Sequence, residues 1–173
     1  MSRLPLDGAT VLLPAGGKGE RLAQLAESQG VNKAALQAGG MSLTGRTISM
    51  YAAAGVKKVV MLVYHQAQSV MDDLGDGSKF GISISYSMDP EKPVGKGGAI
   101  LTAIERGLVP MGSPFIVHNP DDQIMGISDA FPARIFSRHR ALARKGALAT
   151  AVCVPWTEYA YSAFVMKKNG MAS

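Results

Sequence analysis

Thr10-Val-Leu-Leu-Pro-Ala-Gly-Gly-Lys-Gly-Glu-Arg-Leu22 opens as an apolar, β-rich run and ends in a glycine-rich basic turn. Gly16, Gly17 and Gly19 permit backbone conformations with positive φ and let a ligand approach the main chain, so their amides form a cradle for phosphate oxygens. Lys18 and Arg21 add fixed positive charge, and the arginine fork suits phosphate geometry. Two familiar glycine motifs are excluded. A Walker loop needs Ser or Thr after its lysine, which neither Lys18 nor Lys96 has. A dinucleotide fingerprint would put Gly or Ala where Leu22 stands. A tight strand-to-helix turn with incidental charge stays open as the simpler reading of the loop alone.

Working outward, further β-rich runs occur at Lys57 to Val63, Ile82 to Tyr86 and Phe115 to His118, with later ones at Ala147 to Val154 and Ala163 to Lys167. Between them lie segments of helical periodicity. These are Ile48, Tyr51 and Ala52; Val70, Met71 and Leu74; Ile100, Ala103, Ile104 and Leu108; and Ile135, Phe136, His139 and Leu142. Strands alternating with helices predict an α/β fold, a mostly parallel sheet covered on both faces. Ligands of such sheets sit beyond the carboxyl ends of the strands, which directs attention to the loops after the first and fourth strands.

Composition narrows the function class. The chain has 173 residues, 47% hydrophobic and 18% charged, enough for one globular domain over residues 1–173. Its apolar runs are far short of the roughly 20 residues of a bilayer-spanning helix, and the first residues lack the apolar stretch of a secretory signal. The expectation is a cytoplasmic protein with no membrane partner. A single cysteine, Cys153, excludes an internal disulfide framework; the thiol reads as a small buried side chain within a strand. The net charge of +5 is scattered, which favours a small anion over nucleic acid. His118, on an apolar strand, reads as a hydrogen-bonded core or rim histidine.

Four segments together resemble the sugar-1-phosphate nucleotidylyltransferases. Gly16-Gly17-Lys18-Gly19-Glu20-Arg21-Leu22 is similar to the family's GGxGxRL, followed by Asn32-Lys33 where the family has Pro-Lys. Leu74-Gly-Asp-Gly-Ser-Lys-Phe-Gly-Ile82 is similar to its connector before the third strand. Pro93-Val-Gly-Lys-Gly-Gly-Ala-Ile100 looks like plGTaGAi, with Lys96 for threonine. Phe115-Ile-Val-His-Asn-Pro-Asp-Asp-Gln-Ile124 parallels the strand that ends in the family's metal-binding aspartate. The resemblance implies a three-layer α/β/α Rossmann-like fold of the nucleotide-diphospho-sugar transferase type.

It also implies a chemistry: a phosphate oxygen of a sugar 1-phosphate, or another small phosphorylated acceptor, attacks the α-phosphorus of a nucleoside triphosphate, and pyrophosphate leaves. Alignment and charge neutralisation are the protein's tasks. By resemblance Arg21, Lys33 and Asp121 are catalytic, with Asp121 the Mg²⁺ ligand. Leu13, Ala15, Gly16, Gly17, Lys18, Gly19, Glu91 and Gly95 line the nucleotide, and Asp89 is a second candidate beside Glu91 for the base. Asp122, next in an extended segment, would point away from Asp121 and cap the following element; alternatively both carboxylates cap a turn after Pro120.

The family's Glu-Lys-Pro motif and a later aspartate are not found in this chain. The expectation is therefore a family domain shortened at its C-terminal part. Several readings stay open: a non-catalytic nucleotide-binding or regulatory module, a pocket completed by a second subunit in a homodimer, and a smaller acceptor served by a single carboxylate.

Overall fold

The computed structural model describes residue 6 and residues 8–17, 22–90, 92, 94–124 and 130–153. In chain order the elements are β1 (Thr10–Ala15), α1 (Ala23–Gln29), a 3₁₀ turn (Lys33–Ala35), β2 (Gln37–Ala38), β3 (Met41–Ser42), α2 (Leu43–Ala53), β4 (Lys58–Val63), α3 (Ala67–Leu74), a second 3₁₀ turn (Ser78–Phe80), β5 (Ser83–Met88), α4 (Gly95–Glu105), β6 (Phe115–Val117) and α5 (Phe131–Ala143). The chain divides into two compact units, residues 1–138 and 139–173.

In the first unit the apolar runs do what their composition predicts. The strand order is β5-β4-β1-β6, and every neighbouring pair is parallel. Alternate residues of β1 serve opposite faces of the sheet. Val11, Leu13 and Ala15 join Val59, Met61 and Val63 of β4 in a core closed by Ile48 and Tyr51 of α2, Val70 and Leu74 of α3, and Ala133 and Phe136 of α5. Leu12, Val60 and Leu62 face the other way and are covered by Ala99 and Ala103 of α4. This is the three-layer α/β/α arrangement. Each fully buried Val, Leu or Met side chain contributes about 1.5–3 kcal/mol, which is why the two middle strands are almost continuously apolar. β2 and β3 form a small antiparallel hairpin apart from this sheet.

After β5 the chain crosses back over β1 to lay β6 on its far side, so the strand order reverses between β1 and β6. A crevice opens at such a reversal beyond the carboxyl ends of the strands. The loops after the first and fourth strands of the sheet therefore leave neighbouring parallel strands at the same end, as their order in the sequence predicts.

In the second unit the expected strand over Ala147 to Val154 does not form across its described residues, 147–153. α5 ends instead in a tight turn, with Gly146 at φ 90° and the Ala147 amide donating to the Leu142 carbonyl. Thr150 bonds the His139 ring at 3.0 Å. A β-rich run becomes a strand only where a ladder partner exists, and none pairs with these residues among the described ones. Cys153 is accordingly exposed, not the buried side chain its apolar neighbours suggested. Val154 and the run Ala163 to Lys167 lie outside the described residues. No helix among the described residues is long and apolar enough to cross a membrane.

Two glycines make opposite predictions. Gly77 has φ 89°, and a Cβ there would stand 2.8 Å from the Ile82 carbonyl oxygen and 2.7 Å from Ile84 Cγ1. Gly97, in α4, has a helical neighbourhood with nothing within 4 Å of its Cβ position. Gly77→Ala is expected to lower stability by about 1–3 kcal/mol, and Gly97→Ala to raise it by about 0.5–1 kcal/mol. Urea unfolding of the two variants measures both signs.

Candidate functional site

β1 leaves the sheet at Ala15 and passes close beneath its neighbours. A Cβ on Gly16 would lie 3.3 Å from Tyr64 Cβ and 3.9 Å from an Asp89 carboxylate oxygen. Gly16 thus serves a close approach within the protein. Gly17 is exposed, with nothing within 4 Å of its Cβ position and no left-handed φ. Among the described residues nothing in the packing requires a glycine there, whereas a ligand seated on the main chain would.

The decisive contact joins two segments far apart in sequence. Lys33 Nζ donates to Asp121 Oδ2 at 2.8 Å across a separation of 88 residues. The side chains are 23% and 26% exposed, so an incoming anion has access to the ammonium and an incoming cation to the carboxylate. Lys33 begins the 3₁₀ turn Lys33–Ala35, which Asn32 caps by accepting from the Ala34 amide. The turn is also tied to α2, because Thr44 Oγ1 donates to the Ala34 carbonyl at 2.7 Å.

Asp121 sits on a turn rather than in an extended segment. The Asp122 amide donates to the Asn119 carbonyl and the Gln123 amide to that of Asp121. Among the described residues the Asp122 carboxylate accepts from Asn119 Nδ2 at 2.8 Å and closes the turn on itself; the residues just after Ile124 that it was expected to cap lie outside the described ones. α2 grips this turn along one stripe, Leu43, Thr47 and Tyr51, spaced four apart as neighbours on a helix face must be. Thr47 Oγ1 donates to the Pro120 carbonyl at 3.1 Å. Gln123 Nε2 lies 2.7 Å from that same carbonyl, 3.0 Å from the Leu43 carbonyl and 3.1 Å from Thr47 Oγ1.

Tyr51 completes the grip. Its hydroxyl is 3.0 Å from His118 Nδ1, its ring meets the imidazole edge-on, and His118 Nε2 is 2.8 Å from the Asp122 carbonyl. A carbonyl only accepts, so Nε2 carries a proton toward Asp122, while the Tyr51 hydroxyl, donor and acceptor both, can pair with Nδ1. His118 is the hydrogen-bonded rim histidine its strand position suggested. Burial pushes the Tyr51 hydroxyl well above its ordinary pKa.

The other expected residues divide. Ala15 is buried and its carbonyl accepts from Asn32 Nδ2. The Leu13 side chain is fully buried in the core, so only its main chain is available at all. Gly95 starts α4 with φ 71°, and a Cβ on Gly98 would stand 2.6 Å from Val94 Cβ. Those two glycines serve the helix start, leaving Gly97 open. Lys18, Gly19, Arg21 and Glu91 lie outside the described residues. A cleft of about 390 Å³ lined by Arg46, Thr47, Met50, His118, Gln123 and Ile124 borders the grip but not Lys33 or Asp121. Sequence reasoning missed Asn32, Thr47, Tyr51 and Gln123, although the four-residue spacing on α2 was there to be read.

The chain is similar to known proteins in sequence and in fold. The nucleotidyl transferase family pattern matches residues 10–164. The chain is 31% identical over 112 residues to N-acetylmuramate alpha-1-phosphate uridylyltransferase of Neisseria meningitidis serogroup B, covering 64% of this chain and 46% of that protein. It is 30% identical over 135 residues to glucose-1-phosphate thymidylyltransferase of Streptomyces antibioticus, covering 74% and 37%. The chain thus spans less than half the length of these curated relatives. Its fold is similar to UDP-glucose pyrophosphorylase complexed with UDP-glucose, at TM-score 0.58 and 19% identity over 76% of this chain and 54% of that one.

The grip on Asp121 is open to two measurements. Thr47→Val removes a buried hydroxyl that both donates and accepts, and is expected to cost about 1–3 kcal/mol in urea unfolding. Tyr51, raised from 10.0, favours the folded state fully below about pH 10, and that contribution is lost as pH climbs through its folded value. In an absorbance titration at alkaline pH, Tyr51 should ionise only with unfolding, so Tyr51→Phe should shorten the late step and leave the ordinary one unchanged.

Proposed function

The chain belongs to the nucleotidyl transferase family, and from that premise we propose that it binds a nucleoside triphosphate between the ends of β1 and β6 and transfers the nucleotidyl group to a sugar 1-phosphate, releasing pyrophosphate. The observation that carries this reading is the meeting of Lys33 with Asp121 at 2.8 Å where the strand order reverses. One cation and one carboxylate, held by separate loops, are the minimum a metal-accompanied phosphate requires. The names of the curated relatives support a sugar 1-phosphate as the acceptor.

The bond that forms joins an acceptor phosphate oxygen to the α-phosphorus. The bond that breaks joins that phosphorus to the oxygen bridging to the β-phosphate, and the electron pair leaves with pyrophosphate. The main chain at Gly16 and Gly17 offers amides to phosphate oxygens, and Lys33 turns its ammonium from Asp121 to the triphosphate. Arg21 is assigned the β- and γ-phosphates by resemblance. Residue 121 is then freed as a carboxylate beside the phosphates.

No group of three or more His, Cys, Asp or Glu side chains among the described residues is arranged as a metal cage. Mg²⁺ suits such a donor-poor site, since it is bound through one or two carboxylates plus substrate phosphates and keeps several waters. Asp121 is the residue that would hold it. When bound, Mg²⁺ neutralises charge on the phosphates. The second carboxylate and the base contact remain open to residues beyond Asp121 and to Asp89 or Glu91.

Thermal-shift measurements with the common nucleoside triphosphates, with and without Mg²⁺, test binding, because a ligand of the folded state must raise apparent stability. Pyrophosphate release with a panel of sugar 1-phosphates tests transfer. Lys33→Met should weaken triphosphate binding about 10- to 100-fold, the range set by a charged hydrogen bond. Asp121→Asn should abolish the Mg²⁺ dependence. Mg²⁺ alone should leave the wild-type melting temperature unchanged, because Lys33 already neutralises Asp121. The absence of a shift with any triphosphate at millimolar concentration, in the presence of Mg²⁺, would overturn the proposal.

A further inference from the structure

We infer that Asn32 is the positioning residue of this site: it fixes the backbone from which Lys33 reaches Asp121, and through it the triphosphate. The inference rests on the proposed role of Lys33 and adds the device that aims it. Asn32 is 1% exposed, and its hydrogen-bonding groups are in use. Nδ2 donates to the Ala15 carbonyl at 3.1 Å and to the His65 carbonyl at 2.6 Å. Oδ1 accepts from the Ala34 amide at 2.9 Å. Its own amide donates to Ser69 Oγ at 2.9 Å, and its carbonyl accepts from the Ala35 amide.

The orientation of the amide is dictated by chemistry. Both groups near Nδ2 are carbonyls, which only accept, and the group near Oδ1 is an N–H, which only donates. One side chain therefore bolts together the end of β1, the loop after β4 and the 3₁₀ turn, while its main chain is pinned to α3. A lysine ammonium sits at the end of four methylenes and carries much rotamer freedom. Fixing its Cα relative to β1, whose end also carries Gly16 and Gly17, fixes the two halves of the phosphate site to each other.

Where the resembling family has proline, this chain has an asparagine at φ −63° and ψ 146°. Those are the angles of a proline in extended conformation. The backbone path is the one proline would impose, but here hydrogen bonds hold it. A proline at this position could not replace them, because it lacks the side-chain amide and the N–H. The buried carbonyl of Ala15 and the Ser69 hydroxyl would each lose a partner.

The test compares Asn32→Ser, which keeps an acceptor for the cap and loses both amide donors, with Asn32→Pro, Lys33→Met and the Asn32→Ser/Lys33→Met double variant. Isothermal titration with a Mg²⁺-triphosphate reads affinity. Asn32→Ser should weaken binding about tenfold when Lys33 is present and less than twofold in the Lys33→Met background, since the two act as one unit. Asn32→Pro should weaken it at least as much, although it moves the sequence toward the family pattern. Equal losses in both backgrounds, or none, would overturn the inference.

A ligand-free readout separates this inference from the functional reading. The NMR resonance of the Lys33 side chain, assigned by its loss in Lys33→Arg, should shift in Asp121→Asn and move the same way in Asn32→Ser. Ser69→Ala, which removes only the partner of the Asn32 amide, should give a smaller shift of the same sign and serves if Asn32→Ser does not fold. An unchanged Lys33 resonance in Ser69→Ala and in whichever Asn32 variants fold overturns the positioning role even if triphosphate binds. Shifted resonances without triphosphate binding overturn the functional reading and leave the geometry of Lys33 intact.

Discussion

β1 is hydrogen-bonded along one edge to β4 and along the other to β6, and five of its six residues are buried. Its main-chain groups are committed for most of its length, since a buried amide or carbonyl left unpaired is costly. The first amides released from the ladder are those just past Ala15. The same pairing that makes β1 the middle of the core ends at its carboxyl end, where β6 stops at Leu12 and β4 at Ala15. The carboxyl end of a parallel strand becomes a site because there its ladder partners run out before the Gly16-Gly17 turn.

On the proposed function the protein must hold a carboxylate next to a group of phosphates around that point, which by itself is repulsive. The Lys33–Asp121 contact resolves the conflict. Without ligand the two charges satisfy each other; on the proposed function they would exchange partners when a metal-accompanied triphosphate binds, lysine to phosphate and aspartate to metal, and local charge would stay balanced. With roughly a quarter of each side chain exposed, the pair carries neither the desolvation cost nor the rigidity of a buried bridge. A buried pair would resist the exchange, and the partners of a more exposed one would be poorly placed when the ligand arrived. The Leu43-Thr47-Tyr51 stripe holds one partner still and Asn32 the other.

The sequence revealed what depends on short-range pattern. The four strands of the main sheet and the helices between them are carried by apolar periodicity, and the exit of the β1 and β6 loops at the same end of the sheet is a consequence of strand order. Patterns that need a distant partner were less legible. The run from Ala147 has strand composition, yet in its described residues it is not one, because β-propensity describes a fit to neighbouring strands. Gly95, expected to line the nucleotide, has φ 71° at the start of α4, and a Cβ on its neighbour Gly98 would stand 2.6 Å from Val94 Cβ, so the backbone has its own reasons for both glycines. Spacing alone could not distinguish a glycine kept for a ligand from one kept for the backbone.

Asn32 shows why a departure from a family pattern needs a physical reading. As a mismatch at a proline position it weakens the likeness. As a residue with φ −63° whose amide donors, side-chain oxygen and main-chain N–H are all hydrogen-bonded, it preserves the backbone path and changes what enforces it. Proline lowers the entropy of the unfolded chain and donates nothing; asparagine leaves that entropy to be overcome and compensates with buried hydrogen bonds. A covalent constraint acts whether or not its surroundings are in place, but the amide works only when β1, the loop after β4 and the 3₁₀ turn have already come together. The aim of Lys33 is then coupled to the integrity of the sheet end itself, so disturbing Ala15, His65 or Ser69 also disturbs the cation that Asn32 aims.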